Sequence, residues 1–269
     1  MPTRVSVSPA DARLYLAFTA PGGPDWRDVR AAILAGANPN APSVRRVGQT
    51  LLTHLLRHHT AAAPGMRIIA RGQYKKTLTR MRWLLEHDAN PSLRDANGDL
   101  PLHIAIRCSW LDAFDLLVAT GADLEARDSK GWPPLARAVQ GNHHMVITLL
   151  ERRIDPNDRT QRGESMLMIA SKEPSQATRA ALFSLLLAAG ADPARAVLYG
   201  ERTLPEYFAS IGRQDLIGEL DDALQHHATA GIRARLLDVL STEQSAAWLP
   251  KSCAAHAAIR INQRWVRQP

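Results

Sequence analysis

Residues 29–85 contain no acidic side chain, the whole 269-residue chain has two cysteines, and aromatics make up 5% of it. Each shortage removes a class of protein. Cys108 and Cys253 lie far apart and in no Cys-x-x-Cys arrangement, so neither a disulfide framework nor a zinc ribbon is built, and a reducing, cytoplasmic setting is expected. Long apolar runs are missing too: residues 180–189 reach about half the length that spans a bilayer and are interrupted by Ser184. Pro2, Pro9 and the hydroxyl residues between them stand where a secretory signal needs an unbroken apolar stretch. The expectation is a soluble protein without an export signal. So few aromatics also leave little surface on which nucleic-acid bases could stack.

Catalytic signatures are absent as well. There is no Walker-type glycine-rich loop, no Gly-x-Ser-x-Gly elbow, no His-Glu-x-x-His helix and no EF-hand loop, so no cofactor is expected. Three His-His pairs occur, at His58-His59, His143-His144 and His226-His227. Neighbours on a helix point in different directions, and these pairs are widely spaced, so no metal site is expected. Cys253 and His256 sit in an alanine-rich stretch that reads as packing rather than as a nucleophile and its base. Asp95, Asp99, Asp128 and Glu164 lack a companion nucleophile or positioned base, and the chain is read as a non-enzyme with no catalytic residues.

What is present is charge and repetition. The net charge is +7, and residues 29–85 hold ten of the cations, from Arg30 to Arg82, while acidic residues outnumber basic ones farther on. A basic first third precedes a mildly acidic middle. Two phrases recur. One is a turn after a Leu-Leu-like pair: Gly36-Ala37-Asn38-Pro39, Asp88-Ala89-Asn90-Pro91, Gly121-Ala122-Asp123, Arg153-Ile154-Asp155-Pro156 and Gly190-Ala191-Asp192-Pro193. The other places a leucine four residues after a glycine, at Gly48, Gly98, Gly131, Gly163 and Gly200. Apolar positions around each leucine return at helical spacing, so each unit reads as turn, helix, turn, helix. Polar runs such as Arg94-Asp95-Ala96-Asn97-Gly98-Asp99 have the composition of a tight turn. Pro101 and Pro134 fall where a first helical turn begins.

Leu100-Pro101-Leu102-His103-Ile104-Ala105, followed by Phe114-Asp115-Leu116-Leu117 and Gly121-Ala122-Asp123, resembles the ankyrin repeat, whose period is about 33 residues and whose motif is Thr-Pro-Leu-His-x-Ala. The resemblance covers roughly residues 9–226 in about six units and implies an all-α solenoid of stacked helix-turn-helix units with projecting hairpin loops. It departs from the family at Leu100 and Pro133, which replace the motif's first threonine, and only His103 keeps the histidine. Tyr207 stands where other units have Ala105, Ala138 and Ala170. The expected organisation is a capping repeat over residues 1–40, a second repeat with a basic insertion over 41–93, four further repeats over 94–226, and a helical extension over 227–269. High alanine, arginine and leucine with few lysines points to a GC-rich bacterial genome.

The insertion makes the second unit about 17 residues longer than the family period. It leads into a helix expected over 73–86 that carries Lys75, Lys76, Arg80 and Arg82, with Arg67 and Arg71 just before it, a candidate basic patch for an acidic partner. The family resemblance implies a protein partner held on the concave face formed by loop tips and inner helices. The residue after each turn glycine points there: Gln49, Asp99, Trp132, Glu164 and Glu201. Trp132 is the expected anchor, with Pro133-Pro134 as the alternative surface for its ring, and Arg94, Asn97, Asp99, Arg127, Lys130, Arg137, Gln140, Arg162 and Glu164 surround it. Two other readings stand beside this one. Helices after the array recruit a second partner, as in effector-type adaptors, or the basic first third binds nucleic acid or an anionic surface. Monomeric behaviour is expected. Composition does not separate a resident scaffold from an immunity protein or an effector delivered by a non-classical secretion system.

Overall fold

The computed structural model describes residues 8–18, 25–41, 49–60, 70–195 and 202–226. The expected extension over 227–269 and Arg67 lie outside these residues. Two compact units divide the chain after Leu124. The first holds α1 (Pro9–Phe18), α2 (Trp26–Leu34), α3 (Leu51–Thr60), α4 (Ala70–Glu86), α5 (Pro101–Arg107) and α6 (Leu111–Ala119). The second holds α7 (Pro134–Gly141), α8 (His143–Glu151), α9 (Met166–Ala170), α10 (Gln176–Ala188), α11 (Leu204–Ser210) and α12 (Gln214–His226). Among the described residues there is no strand, only an isolated bridge between Arg159 and Ser165. No helix among them is long and apolar enough to cross a membrane.

Each helix packs on its sequence neighbour, α1 on α2, α3 on α4, α5 on α6, α7 on α8, α9 on α10 and α11 on α12. In the first unit α3 also packs on α5 and α4 on α6; in the second, α7 packs on α9 and α10 on α12. First helices therefore line up with first helices, and second with second. Among the first helices α5 and α9 are short and buried nearly all round: every residue from Pro101 to Ile106 in α5 and from Met166 to Ala170 in α9 is buried. A helix of this length is not stable in water on its own, so burial of side chains such as Leu102, Leu135 and Leu167, each contributing about 2 kcal/mol, holds it in place. Pro101 and Pro134 open their helices as the sequence predicts. Thr203 and Glu206 form a capping box on α11, with the Thr-x-x-Glu spacing such a box requires. Ala105, Ala138 and Ala170 are fully buried, whereas Tyr207 is half-buried with its ring 6.1 Å from that of Phe208.

The turns after α2, α4, α6, α8 and α10 each have one left-handed residue. Gly121 and Gly190 supply it at φ 92° and 95°, but Asp88 and Arg153 occupy the same place at φ 63° and 60°. Aspartate tolerates that region better than arginine does. Asparagine then ties successive turns within a unit: Asn40 accepts from the Asn90 amide at 2.7 Å and donates to the Asp88 carbonyl at 2.9 Å. Asn157 does the same to Asp192 and Gly190, both at 2.8 Å.

Arg153 bears left-handed strain that its exposed side chain does nothing visible to offset. Arg153→Gly should therefore raise stability by about 0.5–1 kcal/mol, net of the entropy glycine adds to the unfolded chain. A thermal melt at or below that of the wild type would contradict this account of the turn.

Candidate functional site

Three loop tips share one construction. In the tip over 95–99 the Asp95 amide donates to the Asp99 carbonyl at 3.0 Å and the Gly98 amide to the Asp95 carbonyl at 2.8 Å. Tips 128–132 and 160–164 repeat both bonds at 2.8 to 3.1 Å. The first residue of each tip is buried and also accepts with its side chain. Asp95 Oδ1 takes the amides of Asn97 and Asp99, both at 3.0 Å. Asp128 Oδ1 takes those of Lys130 and Trp132 at 2.8 and 2.9 Å, and the Thr160 hydroxyl takes that of Glu164 at 3.2 Å. The recurring turn composition foretold these tips, but the buried acid at the root of two of them is a tertiary feature.

Arginines from the inner helices close the tips over 95–99 and 128–132. In the first unit Arg57 of α3 reaches Asp95 at 3.0 Å and also pairs with Asp99, which Arg107 approaches at 3.7 Å. In the second unit Arg137 of α7 pairs with Asp128 and donates to Gln140 at 3.0 Å, while its guanidinium lies 4.9 Å from the centre of the Trp132 ring. Burial pushes the Asp128 carboxyl upward, but the Trp132 amide, Arg137 and the Lys130 amide outweigh it and hold the group below its ordinary range. Arg127 donates to the Gly131 carbonyl at 3.2 Å, to Asp158 at 2.6 Å and to the Arg159 carbonyl. The Gln161 amide donates to the Gly131 carbonyl at 3.0 Å, so two tips of the second unit are fastened together.

The anticipated residues therefore divide into two kinds. Asp99, Arg127, Arg137 and Glu164, which pairs with Lys172, are engaged inside the molecule and shape the tips. Arg94, Asn97, Lys130, Gln140 and Arg162 present exposed side chains. Trp132 is half-buried rather than free-standing, with Arg137 on its ring. Gln49 lies 3.4 Å from His54, and Glu201 is outside the described residues.

In α4 the exposed cations are Lys75, Lys76 and Arg82, while Arg80 is half-buried with its guanidinium 5.3 Å from the Trp26 ring centre. The side chain of Arg71 lies outside the described residues. Trp83 of α4 does not enter the buried core. It is half-buried, edge-to-face with Trp26 at 5.6 Å, stacked on His87 at 3.8 Å and approached by Arg30 at 5.2 Å. A tryptophan on each of two second helices beside arginines was the available signal for this cluster.

His143 is buried, 3.3 Å from Glu173. Burial pulls the pKa of His143 down against the opposing pull of Glu173, and that of His144 down against Glu151. Among the described residues no three potential metal ligands converge.

The family model for ankyrin repeats matches residues 66–160 with three copies. Mouse ankyrin repeat domain-containing protein 13C is 33% identical over 86 residues, which is 31% of this chain and 16% of that protein. Opossum (Monodelphis domestica) cyclin-dependent kinase inhibitor 2A is 40% identical over 68 residues, 25% of this chain and 40% of that one. The chain thus matches only a minor part of these curated relatives. An ankyrin repeat domain from Acinetobacter baumannii superposes with a TM-score of 0.55 at 21% identity, covering 73% of this chain and 91% of the other. A second solved ankyrin-repeat protein gives 0.55 at 19% identity, over 75% and 92%.

Two outcomes follow from the geometry. Asp128→Ala removes the acceptor for two amides and a guanidinium and should cost about 2–3 kcal/mol, with Asp128→Asn, which keeps one amide acceptor, costing clearly less; equal melts for the two variants would refute the hydrogen-bonded root. The unfolded chain takes up protons on His143 and His144 near 6.5, the folded one only at lower pH. Their contribution is thus complete above that value and declines as pH falls below it. Replacing both by glutamine should flatten the fall in melting temperature between about pH 7.5 and 5.5, and an unaltered slope would exclude these histidines.

Proposed function

We propose that this chain, an ankyrin-repeat protein by its repeats and its fold, is a non-enzymatic interaction module that holds a protein partner on its loop tips and inner-helix side, as a monomer in the cytoplasm. Ankyrin repeats generally mediate protein–protein interaction, and a protein surface suits the mixed chemistry of these tips. The observation that carries the reading is Trp132. Its half-exposed ring is fixed from one side by Arg137, which is itself fixed by the buried Asp128. An aromatic anchor already immobilised loses little freedom on binding, and such anchors dominate interface energetics.

Around it the exposed side chains of Lys130, Gln140 and Arg162 provide a polar rim. Arg127, Asp128 and Arg137 act here as supports that keep the tips in a binding-ready shape. Within the first unit, Arg94 and Asn97 present the equivalent rim on the tip over 95–99, with Asp99 held by Arg57.

The test begins with partners co-purified from the source cell and identified, followed by affinity measurement with the purified chain. Trp132→Ala should weaken the principal partner at least tenfold with an unchanged melting curve, and Lys130→Ala with Arg162→Ala about three- to tenfold. Unchanged affinity for both variants would remove this face from consideration.

A further inference from the structure

We infer that the outer helices α2 and α4 form a second interaction surface, one that docks an acidic polypeptide segment. The surface is independent of the loop tips and does not rest on Trp132. It is defined by where charge is left over. At the tips, arginine and aspartate largely neutralise one another: Arg57 with Asp95 and Asp99, Arg127 with Asp158, Arg137 with Asp128. None of the ion pairs among the described residues involves Arg30, Lys75, Lys76, Arg80 or Arg82.

The reason is in the sequence, since no acidic residue occurs between Val29 and Leu85. The acids nearest in the chain are at the helix ends, where Asp25 caps α2 through the Arg27 amide at 2.9 Å, Asp28 lies in the first turn and Glu86 closes α4. On α6, which packs against α4, Asp112 accepts from the Tyr74 hydroxyl. Surplus cations thus lie on a face whose own acids are few or engaged.

The face is also assembled rather than accidental. Trp26 of α2 meets Trp83 of α4 edge-to-face at 5.6 Å, and each helix sends an arginine across to the other's tryptophan, Arg30 to Trp83 at 5.2 Å and Arg80 to Trp26 at 5.3 Å. The reciprocal crossing fixes two guanidiniums on one surface beside Lys76, one helical turn before Arg80, with Lys75 and Arg82 exposed on the flank. Fixed cations steer and retain an oppositely charged chain more effectively than freely swinging ones.

The same crossing decides the class of ligand. His87 stacks on Trp83 at 3.8 Å and arginines lie over both half-buried rings, so the faces these groups occupy are not open platforms on which single-stranded bases stack. Charge, not base stacking, is what this face offers, and carboxylates along a peptide match cations one to two helical turns apart.

The experiment uses the full chain and a fluorescein-labelled glutamate-rich peptide, read by anisotropy, with an oligothymidylate of equal charge alongside. The peptide should bind at low ionic strength and weaken as salt is raised from about 50 to 200 mM. Lys75→Glu/Lys76→Glu/Arg82→Glu should weaken it at least tenfold, the corresponding triple glutamine variant by a smaller factor, and Trp132→Ala not at all. No binding at low salt, equal binding by wild type and both triple variants, or tighter binding of the oligonucleotide than of the peptide would each overturn the inference. Failure here leaves the loop-tip reading intact, and a loss confined to Trp132→Ala in the partner assay would leave this one intact.

Discussion

Helices of five to eight residues do not persist in water, because the hydrogen bonds of one or two turns do not offset the cost of nucleating them. Among the described residues α5, α7, α9 and α11 have that length. Neighbours cover almost every side of α5, α7 and α9, and the apolar surface each removes from water is what fixes the backbone; α11 buries Leu204 and Phe208 and is closed by its capping box. Layer-on-layer burial within each unit is therefore the constraint from which the other features follow.

One consequence concerns the loops. Turns between such short elements have to be sharp and of constant shape, or the next layer would lose register. Buried Asp95 and Asp128 meet that need by accepting amides across the tip with one oxygen and a guanidinium with the other. A buried carboxylate is tolerable only when it is satisfied in this way. The acids and arginines that look, in the sequence, like a ready-made recognition surface are partly consumed in building the loops that carry it. What remains for the partner we propose is smaller and better positioned: a tryptophan held in place, and a rim of exposed lysine, glutamine and arginine.

A different balance governs the outer side of the first unit. There, cations on α2 and α4 enter no ion pair among the described residues, and two crossed arginine–tryptophan contacts hold two of them in place. The molecule thus separates two kinds of surface, one internally paired and shaped, the other unpaired and strongly signed.

The period of the turn glycines, the leucines four residues after them and the helix-opening prolines were enough to establish the repeat, the all-helical fold and the placement of the loop tips, because local chain geometry depends on local residue type. Even the left-handed positions at Asp88 and Arg153 could be found by aligning them with Gly121 and Gly190. Side-chain partnership was not legible in the same way. That Asp128 is held by Arg137 and in turn steadies Trp132, that Arg57 spans two acids, and that Trp83 meets Trp26 rather than a hidden core are settled by which layers touch. Electrostatic and ring contacts depend on distances between residues far apart in the chain, and packing sets those distances only after the helices have formed.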